Sequence, residues 1–226
     1  MLLRPKTETV RILSIRLRAR GLSSVFRPRK DPGTGLLVWA KSVEFYTPPK
    51  YRKAALHYWS LLGIRGIDLD PATPPSNPMK ARRFFTEKDD GLRQRWFKGP
   101  DEQSTWVNPP YGRQIRKWVA KIGEEALKSS RHKLVALLPG QRFEQAYWQR
   151  SLFNPALTAI VCVRKRISFI GPDGREQKGN PYGSFIYLYN GTYEAVRKAF
   201  RTIGMVLEVG RIQQHQPRRQ PSLWES

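Results

Sequence analysis

Between Lys50 and Val209, short apolar runs alternate with segments in which apolar residues recur every three or four positions. This alternation constrains the fold more than any other feature of the chain. Tyr51, Ala54, Ala55, Tyr58, Leu61 and Leu62 share one helical face, and Gly63 stands where that helix should stop. Residues 64–69 read as a buried strand running into Asp70-Pro71, and the Pro-rich stretch 71–78 reads as loop. A strand at 105–107 precedes a helix marked by Ile115, Trp118, Val119, Ile122, Ala126 and Leu127. A strand at 133–138, a helix over 143–152 and a strand at 158–163 follow. Residues 167–170, the turn at 171–174 and residues 185–189 read as a hairpin-like excursion. Thr192 then caps a helix reaching about residue 203, and 205–209 form a last strand. Repeated units of this kind predict an α/β fold, a mostly parallel twisted sheet with helices on both faces. Ligands in such sheets bind at the carboxyl ends of strands, where Asp70 and Asn108 both fall.

The pattern occupies residues 39–210. Residues 1–38 are rich in Lys and Arg with only Glu8 and Asp31 as acids, and their Pro, Gly and Ser clusters predict a basic, flexible arm. The same bias suits an organelle transit peptide, a nucleic-acid-contacting arm or an unselected leader. Residues 211–226 read as a polar tail. Over the whole chain 41 Lys and Arg face 18 Asp and Glu, a formal charge of +23 that calls for a polyanionic partner. The cations are spread along the chain and gather on no amphipathic segment, which favours nucleic acid over an anionic membrane. No apolar run approaches the ~20 residues of a membrane span. Cys162, the single cysteine, lies in the apolar run 159–163 and reads as a small buried hydrophobe in a reducing compartment. His57, His132 and His215 are too scattered to suggest a metal site.

One motif carries chemistry. Asn108-Pro109-Pro110-Tyr111 follows a strand, two residues after Trp106. The exocyclic amino group of a nucleobase is a poor nucleophile because its lone pair is delocalised into the ring. Two acceptors, the Asn108 side-chain oxygen and the Pro109 carbonyl, can each take one amino hydrogen and favour the pyramidal form. The two prolines fix the loop so that both acceptors converge. Tyr111 offers a stacking face for a base flipped out of the duplex.

Further motifs accompany it in order: Phe45-Tyr46-Thr47-Pro48, Asp68-Leu69-Asp70-Pro71-Ala72, Asp90-Gly91-Leu92 followed by Trp96, Leu137-Leu138-Pro139, and Arg166-Ile167-Ser168-Phe169 with Pro181-Tyr182 after it. On these residues, residues 42–209 resemble the phage-type DNA adenine N6-methyltransferases, the small Dam-like family of bacteriophages and prophages. The resemblance implies a Rossmann-like fold dependent on S-adenosylmethionine (SAM), DNA as substrate, and the cytoplasm of a bacterial cell. It implies catalysis by Asn108, Pro109, Pro110 and Tyr111. It also brings Thr47 and Pro48 to the methionine end of SAM, Asp68 and Asp70 to the cofactor or its ribose hydroxyls, and Asp90 to its adenine. One departure is plain: where many SAM-dependent enzymes carry a Gly-rich loop, Asp70-Pro71-Ala72 runs into Thr73-Pro74-Pro75. Asp68-Leu69-Asp70-Pro71 therefore fits either the first-strand motif or the second-strand acid of the wider superfamily.

Bland readings stand beside these: Asp70 as a turn-forming Asp-Pro, Asp90 as a loop acid before Gly91. Arg113, Arg116 and Lys117, and the run Arg164, Lys165 and Arg166, suit phosphate contact, or equally a solvated basic face. The same acceptor geometry would serve cytosine N4, an RNA base or a protein glutamine, the last disfavoured by the charge. A binding protein that has lost its cofactor is the alternative of a different class. No block of 80 or more residues is left over for a separate target-recognition domain, so a short or loosely read target sequence is expected.

Overall fold

The computed structural model describes residues 46–140, 144–171, 174–177 and 182–209, and the backbone of 29–30 and 37–38. The chain divides into two compact units, Met1–Val43 and Glu44–Ser226. In the first, β1 (Arg29–Lys30) pairs antiparallel with β2 (Leu37–Val38). The rest of the expected basic arm and the tail at 211–226 lie outside the described residues.

The second unit is built on a seven-stranded sheet. Its elements are α1 (Pro49–Leu61), β3 (Leu69–Asp70), β4 (Arg83–Phe84), β5 (Ser104–Val107), α2 (Ile115–Leu127), β6 (Lys133–Pro139), α3 (Ala146–Leu152), β7 (Leu157–Val163), β8 (Phe169–Ile170), β9 (Glu176–Gln177), β10 (Ser184–Tyr189), α4 (Tyr193–Phe200) and β11 (Gly204–Glu208). The strand order is β11-β7-β10-β6-β5-β3-β4. From β4 to β6 the pairings are parallel, whereas β10 runs against both β6 and β7, and β11 against β7. The sheet is thus mixed where a mostly parallel one was expected. The cause is β10, which enters the middle of the sheet as a central strand, together with β11 at its edge; residues 185–189 are not the return arm of a hairpin. The turn near 171–174 instead closes β8 onto β9.

Alternate residues of the central strands enter two separate cores. Val135, Leu137, Ile186 and Leu188 pack with α1 and α4, and Leu134, Ala136, Leu138 and Tyr187 pack with α2 and α3. This is the period-two alternation of β-strand side chains. α1 opens with Pro48 and Pro49, whose fixed φ suits a first turn, and it ends where Gly63 takes a left-handed φ of 76°. There the Gly63 and Ile64 amides donate back to the Ser60 and Trp59 carbonyls, a Schellman close that a residue with a Cβ would strain. The Thr192 hydroxyl caps α4 by accepting from the Ala195 amide at 3.3 Å. Cys162 is a half-buried free thiol on β7. Among the described residues no helix is long and apolar enough to cross a membrane, and no three His, Cys, Asp or Glu side chains gather as a metal site.

Candidate active site

Parallel pairing of β3 with β5 brings Asp70 and the Asn108 loop to the same carboxyl edge of the sheet. Asn108 is half-buried and Pro109 is buried, directly after the last residue of β5. The Asn108 Nδ2 donates to the Thr47 hydroxyl at 3.1 Å, joining two motifs 61 positions apart. Thr47 is buried, and Pro48 after it is the N-cap of α1. Tyr46, just before, is tied by two backbone hydrogen bonds (2.7 and 3.0 Å) to Ile170 of β8.

Tyr111 turns its hydroxyl inward. It donates to the Leu137 carbonyl at 3.4 Å, and burial pushes the phenol well above its ordinary pKa, so the hydroxyl is no acid or base at neutral pH. Its ring meets Phe169 edge-on, with centroids 6.1 Å apart. The chemistry left to Tyr111 is that of its ring, which Phe169 flanks.

Asp68 and Asp70 have opposite fates although two residues apart. Asp68 lies at the amino end of β3. Its Oδ2 accepts from the Gln103 amide (2.7 Å), the Ser104 amide (2.9 Å) and the Ser104 hydroxyl (3.0 Å), and its Oδ1 pairs with Arg82. That carboxylate clamps β3 against the start of β5, at the opposite end of the strand from the Asn108 loop. Asp70, at the carboxyl end, is buried, and its Oδ1 accepts from the Ala72 amide at 3.1 Å. Burial pushes its carboxyl up to about 7, against the lowering effect of the Ala72 amide and the Thr73 hydroxyl. None of the ion pairs among the described residues involves it. A buried carboxylate without a cation suits a ligand that brings hydroxyl donors and positive charge.

Asp90 is exposed with a φ of 51°, its Oδ1 accepting from the Leu92 amide and its Oδ2 paired with Arg93 at 3.3 Å. Its loop nonetheless reaches the site through Gly91. A Cβ on Gly91 would stand 1.9 Å from the Pro71 carbonyl oxygen, and the Gly91 carbonyl accepts from the buried Trp96 Nε1 at 2.7 Å. Space rather than φ demands glycine here, and the neighbour is backbone that also carries Asp70. Gly91→Ala is expected to destabilise the fold by about 1–3 kcal/mol, read as a lower melting temperature, and to weaken cofactor binding together, while Gly112→Ala, which faces open space, changes melting little. Thermal melting and calorimetric titration of both variants check this. Equal melting of the two would mean that the contact is not a constraint.

A cleft of about 320 Å³ opens beside Thr47, lined by Tyr46, Pro49, Arg52, Pro78, Lys80 and Ile170. Sequence reading does not find it, because its residues come from three separate segments without a shared period. Arg113, Arg116 and Lys117 are exposed beside the Asn108 loop, and Arg164, Lys165 and Arg166 are exposed just past the carboxyl end of β7. β7 runs in the same sense as β5, so both basic groups lie along the edge that holds Asn108. Among the described residues none of the six enters an ion pair with a carboxylate.

A side-chain oxygen and a carbonyl on a Pro-Pro loop at the edge of an α/β sheet are chemically able to hold a planar amino group. The sequence profile of the DNA N-6-adenine-methyltransferases (Dam) matches residues 50–209, and the chain belongs to that family. It is an enzyme that methylates the N6 amino group of adenine in DNA. No curated protein matches the chain.

Proposed function

We propose that the methyl donor is SAM, bound over the carboxyl ends of β3 and β5, and that Asn108 and Pro109 hold the target amino group. The single observation that carries the donor site is Asp70, a buried carboxylate that among the described residues pairs with no cation, at the same carboxyl edge as the Asn108 loop. SAM carries ribose hydroxyls, an ammonium and a sulfonium, which this environment complements. When bound, it supplies an electrophilic methyl group. The chain's own part is positional. Asn108 Oδ1 and the Pro109 carbonyl accept the two amino hydrogens and raise lone-pair density on the nitrogen, and the Tyr111 ring holds the base plane. Thr47 and Pro48 would flank the methionine end of the donor. Asp90 enters this reading only through the Gly91–Pro71 contact of its loop.

The division of α1 and α4 from α2 and α3 between two cores supports a Rossmann-like sheet covered on both faces. The two exposed basic groups on the catalytic edge are read as phosphate contacts that position the duplex. Resemblance to the phage-type enzymes supports a phage or prophage origin and action in the bacterial cytoplasm. The test is to incubate the full chain with unmethylated DNA and methyl-labelled SAM and digest the DNA to nucleosides. Label in N6-methyladenine is expected. Label in another nucleoside, or none, sinks the reading.

A further inference from the structure

A primary amide has two ends of nearly the same shape, and only one of them accepts hydrogen bonds. An asparagine that must accept an amino hydrogen therefore needs something to hold it the right way round. At Asn108 the Nδ2 end donates to Thr47 Oγ1 at 3.1 Å, which leaves the oxygen end for the substrate. Thr47 is well placed for this. It is only 7 % exposed, it is followed by Pro48 and Pro49 with their fixed φ, and the residue before it is bridged by two backbone hydrogen bonds to Ile170. The hydroxyl is thus offered to Asn108 from a buried position on an anchored segment of backbone.

We infer that Thr47 is a positioning residue for methyl transfer: its hydroxyl fixes the amide orientation of Asn108. A reversed amide would set two N–H donors against the amino hydrogens of adenine and remove one of the two acceptors. When the hydroxyl's own hydrogen is committed to another acceptor, only a donor can face Thr47 and the amide is locked. This role is separate from any affinity Thr47 contributes to the cofactor, and it rests on the reading of Asn108 as the amino acceptor.

The experiment is single-turnover methyl transfer by the full-length protein at saturating SAM and DNA. Thr47→Val keeps the side chain's shape and removes the hydroxyl; the rate is expected to fall about tenfold or more with little change in melting temperature. Thr47→Ser keeps the hydroxyl and is expected to stay within about threefold of wild type. In an Asn108→Asp background both ends of the side chain are oxygen, so orientation no longer matters. The further penalty of Thr47→Val should there shrink to about threefold or less. A wild-type rate in Thr47→Val at saturation, with the loss confined to SAM affinity, overturns the inference, as does an equal penalty in both backgrounds. A wild-type rate in Asn108→Ala is a different result: it removes the acceptor reading itself.

Discussion

Asn108→Ala is expected to slow methyl transfer by at least about a hundredfold while leaving SAM affinity within a few-fold of wild type. The asymmetry follows from where Asn108 sits. It is half-buried at the end of β5, and the hydrogen bond it makes, to Thr47, costs only about 1 kcal/mol to lose. Its oxygen matters when the amino nitrogen pyramidalises, because only then does the nitrogen release density to the incoming methyl and its hydrogens become stronger donors. An interaction of that kind lowers kcat and kcat/KM together and leaves ground-state binding alone. Single-turnover rates and calorimetric SAM titration of the same variant check both halves. Unchanged turnover would move the active site away from this motif.

Much of this site is legible from sequence because it lies in local patterns. α2 runs from Ile115 to Leu127, the span its apolar spacing marks, and the Gly63 stop of α1 is a backbone requirement visible in one letter. The Asp-Pro and Asn-Pro-Pro-Tyr segments fall at strand ends, as their proline content demands. The failures share a cause, which is that apolar patterning reports burial and not hydrogen-bond partners. Ile64 and Ile67 are buried and read as strand, yet Gly66 at a φ of 79° interrupts them and only Leu69–Asp70 joins the ladder. Residues 185–189 look like the far arm of a hairpin, but the turn before them closes on Glu176–Gln177, polar residues with no strand signal. Asp68 and Asp70 look equivalent in the sequence. Their difference is made by Arg82, Gln103 and Ser104, which come from elsewhere in the chain, and the Thr47–Asn108 contact is likewise invisible to any local pattern.

Asp70 gives the site a dependence on pH that its replacement should erase. Its carboxyl is raised from an ordinary value of 3.8 to about 7 by burial. Between those two values the folded chain holds a proton that the unfolded chain releases, so folding stability without ligand declines as pH rises from about 4 to about 7 and levels off above. Three pH units correspond to an upper limit of about 4 kcal/mol, reduced by whatever water reaches the site. Asp70→Asn removes the titration, so at pH 8 the variant should melt higher than wild type, and near pH 4 the advantage should vanish. Cofactor binding should run the other way. A carboxylate accepting ligand hydroxyls must be ionised, so wild-type SAM affinity is expected to weaken as pH falls from 8 to 6. The variant should bind at least about tenfold more weakly at pH 8 and show little pH dependence, having exchanged an acceptor for a donor. Melting curves and calorimetric titrations at pH 6 and 8 on both proteins decide the matter. If wild type and variant respond to pH alike in both measurements, Asp70 is a turn residue and the cofactor is held by other groups.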